Sequence, residues 1–153
     1  MPPTPPFPNG ATAYRPIVVT RLTVASTGKT LFCFSLPDSG ADQCVFPSSF
    51  AIALGLDPLQ MKQQITGGVG NSGNVTYYDN LRIEIGFMQA NTAQGQVPGG
   101  NMAFVPKVSF DAYAGFTNGL EAQGIGLLGQ SGFFENFGVT FDHKNRVFHI
   151  DAA

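Results

Sequence analysis

The chain is short of charge. Of its 153 residues only 12% are Asp, Glu, Lys or Arg, and the formal net charge is −2. Those few cations form no cluster, and nucleic acid is therefore not an expected partner, because phosphate contacts need grouped Lys and Arg. Tryptophan is absent altogether. No apolar run approaches the roughly 18 residues of a membrane-spanning helix, so no membrane partner is expected. The N-terminal MPPTPPFPNG is neither basic nor apolar enough for a secretory signal. With neither signal nor span in view, a cytoplasmic location is the expectation. Cysteine is scarce too: Cys33 and Cys44 are the only two. Two are too few for a disulfide framework, and they lack zinc-ligand spacing. Free buried thiols are expected, with a disulfide between them as the alternative, and a reducing compartment suits the former.

The chain is rich in turn formers and phenylalanine. Apolar residues make up 43%, alongside 19 Gly, 11 Pro and 14 Phe. That mixture suits strands joined by many turns; a helical bundle would draw on Ala, Leu, Glu and Lys. The length allows one domain with a real core and is too small for two comfortable ones. Residues 1–14 read as a flexible Pro-rich arm, with a polyproline ligand as the alternative, and 15–153 as the folded domain.

Along that domain, RPIVVTRLTV (15–24) is rich in β-branched residues and predicts a strand, followed by a turn at STGK (26–29). TLFCFSL (30–36) alternates Leu31, Cys33 and Ser35 against Phe32, Phe34 and Leu36, which predicts a strand buried on both faces. QCVF (43–46) resumes extended structure. PSSFAIALGLD changes period and predicts a short helix over 48–54, with Ser48 or Ser49 as cap and Gly55 just past its end. Residues 63–87 predict a hairpin with a Gly-rich tip at 67–73 and a return arm alternating Leu81, Ile83 and Ile85 with Arg82 and Glu84. A loop is expected over 89–101 and a strand over 102–110, with an interruption at Pro106. Residues 111–123 read as irregular or briefly helical. GIGLLGQSGFFENF (124–137) predicts an apolar strand ending in Gly and a helical turn, and 138–151 a last hairpin turning at His143-Lys144-Asn145. No internal repeat is present.

Most titratable residues have ordinary readings. His143 and His149 lie near the final hairpin with no third metal ligand patterned beside them, so surface histidines and no metal site are expected. Phe133, Phe134 and Phe137 are expected in the core or at contacts between subunits. The Gly67–Gly73 run lacks the Lys-Ser/Thr ending of a phosphate-binding loop, and Ser48 and Ser49 lack a nucleophile-elbow motif. No cofactor is implied.

One stretch resists an ordinary reading. SLPDSGADQ (35–43) places Asp38 and Asp42 between Phe-rich, apolar runs. Asp, Ser and Gly are turn residues, so a plain turn explains the motif taken alone. Its surroundings point further. Leu36-Pro37-Asp38-Ser39-Gly40-Ala41-Asp42 resembles the active-site loop of retropepsin-like aspartic proteases, hydrophobic-x-Asp-Thr/Ser-Gly-Ala-Asp. Thr66-Gly67-Gly68-Val69-Gly70-Asn71 looks like the tip of the retroviral flap hairpin, although by itself it also reads as a mobile turn. Val75 to Ile85 is similar to the arm beyond that flap. Gly126-Leu127-Leu128-Gly129 fits the two apolar residues and Gly that close the fold. The following GQSGFFENFGVTFDHKNRVFHI is more like the cellular, DNA-damage-inducible type. The resemblance covers most of 30–150.

The resemblance implies an all-β fold: a closed β-barrel or sandwich with one or two short helices, completed as an acid-protease fold by a homodimer. It implies an aspartic endopeptidase acting on a peptide or protein substrate, with Asp38 catalytic and Ser39 and Gly40 supporting it. Substrate would meet Gly40, Ala41, Asp42, Leu128 and the flap residues Gly67, Gly68 and Val69. The chain holds only one such motif, since Asp79, Asp111 and Asp142 lack the Ser/Thr-Gly sequel. A two-carboxylate site therefore requires a second copy on a two-fold axis. Two features depart from the retroviral pattern. Gln130 stands where an Arg usually follows the closing glycine and pairs with the second acid of the loop, here Asp42, whose own role is loop cap or substrate contact. The segment 89–123 is also longer. They leave open a second reading, a catalytically weak or inactive retropepsin-like dimerisation or peptide-binding domain. An unrelated β-barrel or sandwich binding module is a third.

Overall fold

The computed structural model describes residues 13–67, 73–90 and 102–152. They form a predominantly β structure: β1 (Val18–Val24), β2 (Thr30–Pro37), β3 (Val45–Pro47), β4 (Lys62–Gly67), β5 (Gly73–Ala90), β6 (Met102–Thr117), β7 (Gly126–Leu128), β8 (Phe137–Asp142) and β9 (Val147–Ala152). One short α-helix, α1 (Ser48–Ala53), and two 3₁₀ turns at 58–60 and 118–120 interrupt them.

Seven strands make one sheet in the order β1-β2-β7-β3-β6-β5-β4, and β1 also pairs with β5. The sheet thus closes as a ring from β1 back to β5, which removes its open edges along that path. Strand length makes this possible. β5 runs for 18 residues and pairs with β6 along one edge. Its other edge takes β4 at Gly73–Tyr78 and β1 at Leu81–Gly86. The interior is filled by alternate residues: Leu22 and Val24 from β1, Leu81, Ile83 and Ile85 from β5, Phe110, Ala112, Ala114 and Phe116 from β6. Phe133 and Phe137 pack tilted and edge-on, respectively, against Phe110 at ring separations of 5.8 and 5.7 Å, so they belong to the core, with Phe134 against its margin.

Several sequence expectations are corrected. β6 continues through 111–117, which read as irregular; Ala112, Ala114 and Phe116 face the core there and pair with Leu81, Asp79 and Tyr77. The expected interruption at Pro106 is a shift of register: Ile85 faces Val108 while Gly86 faces Pro106, leaving Lys107 as the extra residue. β2 is not buried on both faces, since Phe32 and Phe34 are 48% and 58% exposed on the outer side. β1 begins at Val18, short of the expected start at 15.

α1 follows its sequence signal with a different cap. Gly55, at φ +70°, sends its N–H to the Ile52 carbonyl while Leu56 bonds Ala51, both at 2.9 Å, the paired C-terminal closure that glycine favours. At the other end neither Ser48 nor Ser49 is the cap. The Glu121 carboxylate accepts from the Ser49 N–H and the Ser48 hydroxyl, each at 2.7 Å. These bonds hold its carboxyl below the usual carboxylate range, the Ser48 hydroxyl contributing most.

The final hairpin turns where the sequence placed it. Asp142 accepts from the Asn145 backbone and side chain at 3.0 and 2.7 Å, and Arg146 takes φ +58°. His143 and His149 are both exposed. Cys33 and Cys44 are free thiols, and burial pushes both up to about 11. Among the described residues no helix is long and apolar enough to cross a membrane, and no group of His, Cys, Asp and Glu could hold a metal ion.

Candidate active site

The Asp38 loop sits where two sequence-distant segments meet. β7 lies between β2 and β3, which are neighbours in sequence: Ser35, Leu36 and Pro37 pair in parallel with Gly126, Leu127 and Leu128, and Val45 pairs with Leu127 from the other side. The chain between β2 and β3 must therefore arch over the end of β7, and that arch is residues 38–44. Small residues make the crossing possible. A Cβ on Gly126 would come within 2.4 Å of the Phe46 ring. One on Gly129 would meet the Gln43 carbonyl oxygen at 2.3 Å and the Ala41 oxygen at 2.7 Å.

The arch is stitched to the segment below it. Asp38 N–H donates to the Leu128 carbonyl at 3.0 Å. Gln130 N–H donates to the Ala41 carbonyl at 2.8 Å, and Ser131 N–H to the Asp42 carbonyl at 2.9 Å. The Gln130 side-chain amide adds a bond to the Ser39 carbonyl at 2.7 Å. Within the loop, Gly40 N–H donates to Asp38 Oδ1 at 2.9 Å, and Ala41 N–H to the Asp38 carbonyl at 3.1 Å. The Asp38 side chain is thus held at the end of a core strand by the Gly40 amide. Asp38 and Ala41 are half-buried, while Ser39, Gly40 and Asp42 are exposed.

The structure therefore brings together Asp38, Ser39, Gly40, Ala41, Asp42 and the Gly126–Gly129 block. Leu128 is placed differently from expectation. Its side chain is fully buried in the core, so it meets the loop through its carbonyl and offers no side chain to a substrate. β4 and β5 form the hairpin expected over 63–87, with Gly67 paired to Gly73 at its described end. Gly68, Val69 and Gly70 lie outside the described residues. Near that end Ile65 pairs with Val75, and the two are 76% and 41% exposed. Sequence reasoning missed Gln130 as a ligand of the loop backbone and noted only the Arg it replaces; nothing local to Gln130 signals a carbonyl so far away in sequence. No protein-family model and no curated protein matches the chain.

Proposed function

We propose that the chain is a retropepsin-like aspartic endopeptidase that works as a homodimer, with one Asp38 from each subunit. The observation that carries this reading is the Asp38 carboxylate at the mouth of the β2–β7–β3 crossing. It is half-buried, fixed by the Gly40 N–H and tied through its own amide to the Gly-Leu-Leu-Gly block. Two such carboxylates a few ångströms apart cannot both ionise cheaply, so the pair shares one proton. The ionised member takes a proton from a bound water, and the protonated member polarises the scissile carbonyl. Ser39 would reach the partner loop through its exposed hydroxyl. The carbonyl of Gly40 would receive substrate main chain, and Ala41 and Asp42 would flank it.

An extended peptide would lie between this loop and the β4–β5 hairpin, pairing with backbone groups as an added strand. The β4–β5 hairpin would close over it. The apolar Ile65–Val75 pair supports uncharged side chains near the cut. The β8–β9 ribbon supports the homodimer: it is a separate two-stranded sheet, and Phe141 and Val147 on it are 52% and 41% exposed. The ribbon packs on the core through Phe137, Val139, Phe148 and Ile150, and the exposed Phe141 and Val147 are what a second copy would cover.

The second reading, a peptide-binding or dimerisation domain without useful catalysis, is favoured by Gln130 in place of the expected Arg. Digestion of a peptide library at acid pH, with and without a pepstatin-type inhibitor, separates the two. Inhibitable cleavage supports the peptidase; binding without cleavage supports the alternative. Sedimentation reports the homodimer directly.

A further inference from the structure

The Ser39–Gly40 peptide group is gripped from both sides. Its carbonyl accepts the Gln130 side-chain amide at 2.7 Å, and its N–H donates to Asp38 Oδ1 at 2.9 Å. The backbone bonds of the loop engage the residues on either side, at Asp38, Ala41 and Asp42. They fix where the arch lies, but they do not set the rotation of this one peptide plane. Gly40 carries no side chain to resist that rotation, since glycine tolerates either orientation. A flip would turn the Gly40 N–H away from the Asp38 carboxylate and release the carboxylate's rotation.

We propose that Gln130 is a positioning residue for Asp38: it holds the Ser39–Gly40 peptide so that the Gly40 N–H stays aimed at Oδ1. Hydrogen bonds on the two ends of one peptide group polarise each other, so the grip on the carbonyl also strengthens the bond to the carboxylate. The segment carrying Gln130 is itself fixed, with Gln130 N–H on the Ala41 carbonyl and the Gln130 carbonyl accepting the Glu135 N–H at 3.1 Å. The side chain is exposed and packs no core, so removing its amide tests position with little effect on folding. The consequence for catalysis rests on the peptidase reading above; the consequence for Gly40 does not.

The test replaces the donor. In Gln130→Met the Gly40 amide proton, followed by NMR, should exchange about tenfold faster, the equivalent of one net hydrogen bond. Peptide cleavage should lose roughly tenfold to a hundredfold in kcat, the scale of a misplaced catalytic group, with KM little changed. Gln130→Arg, which keeps an N–H donor, should restore both, and Gln130→Ala repeats the loss should methionine disturb the fold. Unchanged Gly40 exchange in Gln130→Met, or an arginine variant no better than methionine, overturns the proposal. If the unmodified protein cleaves nothing, the peptidase reading fails alone, and Gly40 exchange still decides the role of Gln130.

Discussion

The Asp38 amide donates to the Leu128 carbonyl at 3.0 Å, joining the chain's one Asp-Ser-Gly to its one Gly-Leu-Leu-Gly across the parallel seam of β2 and β7. The bond sits at the point where the arch leaves the sheet. The acid is therefore carried on the core itself, and its geometry depends on how closely the backbones at 41–43 and 129 approach.

That approach can be tested at Gly129. A methyl group there would stand 2.3 Å from the Gln43 carbonyl oxygen, a backbone atom that cannot swing aside. Gly129→Ala should lower stability by about 1–3 kcal/mol, as overpacking does. Gly138→Ala, where a Cβ meets nothing within 4 Å, should change it little. Urea unfolding of both variants makes the comparison; equal midpoints would refute the tight crossing.

The cap on α1 should make stability depend on acid. Glu121 is held below its ordinary value of 4.5 by Ser48 and Ser49. A carboxyl whose folded value is depressed contributes stability that is present above the unfolded value and lost as pH falls through the folded one. Glu121→Gln should melt at a lower temperature than the unmodified protein at neutral pH, and the gap should close below the ordinary glutamate range. A gap that stays constant with pH would show that the charge is not what caps the helix.

The two thiols should be inert until the chain unfolds. Burial raises Cys33 and Cys44 to about 11 and leaves little thiolate at neutral pH. A thiol-specific reagent should react slowly with the folded protein and rapidly with both cysteines in denaturant. Because the folded values lie above the unfolded 9.0, stability should also fall as pH rises from about 9 toward 11. Rapid reaction of the fully buried Cys44 in the folded protein would contradict this account; Cys33, only half-buried, should be the faster of the two.

How far the sequence spoke depended on how local each signal was. β2, the Asp38 turn, α1 with its Gly55 end and the last hairpin were legible because period, turn chemistry and capping act over a few residues. The far half of β6 was not: Asp111, Gly115 and two alanines are weak strand formers. Gly115 is there because a Cβ would come within 2.5 Å of Thr76, a neighbour on another strand. Glu121 as the cap of α1, and Gln130 as a ligand of Ser39, are contacts across 72 and 91 residues, which no local pattern announces. The burial of Leu128 followed from the same limit, since the Gly-Leu-Leu-Gly block does not say which of its leucines faces the core.

The most direct test is digestion of a peptide library at acid pH by the unmodified protein and by Asp38→Asn, a near-isosteric change at a half-exposed position. The unmodified protein should cut peptides, and Asp38→Asn should lose that activity while keeping its melting temperature. Equal cleavage by both, or cleavage by neither, would contradict Asp38 as the catalytic acid of an aspartic endopeptidase.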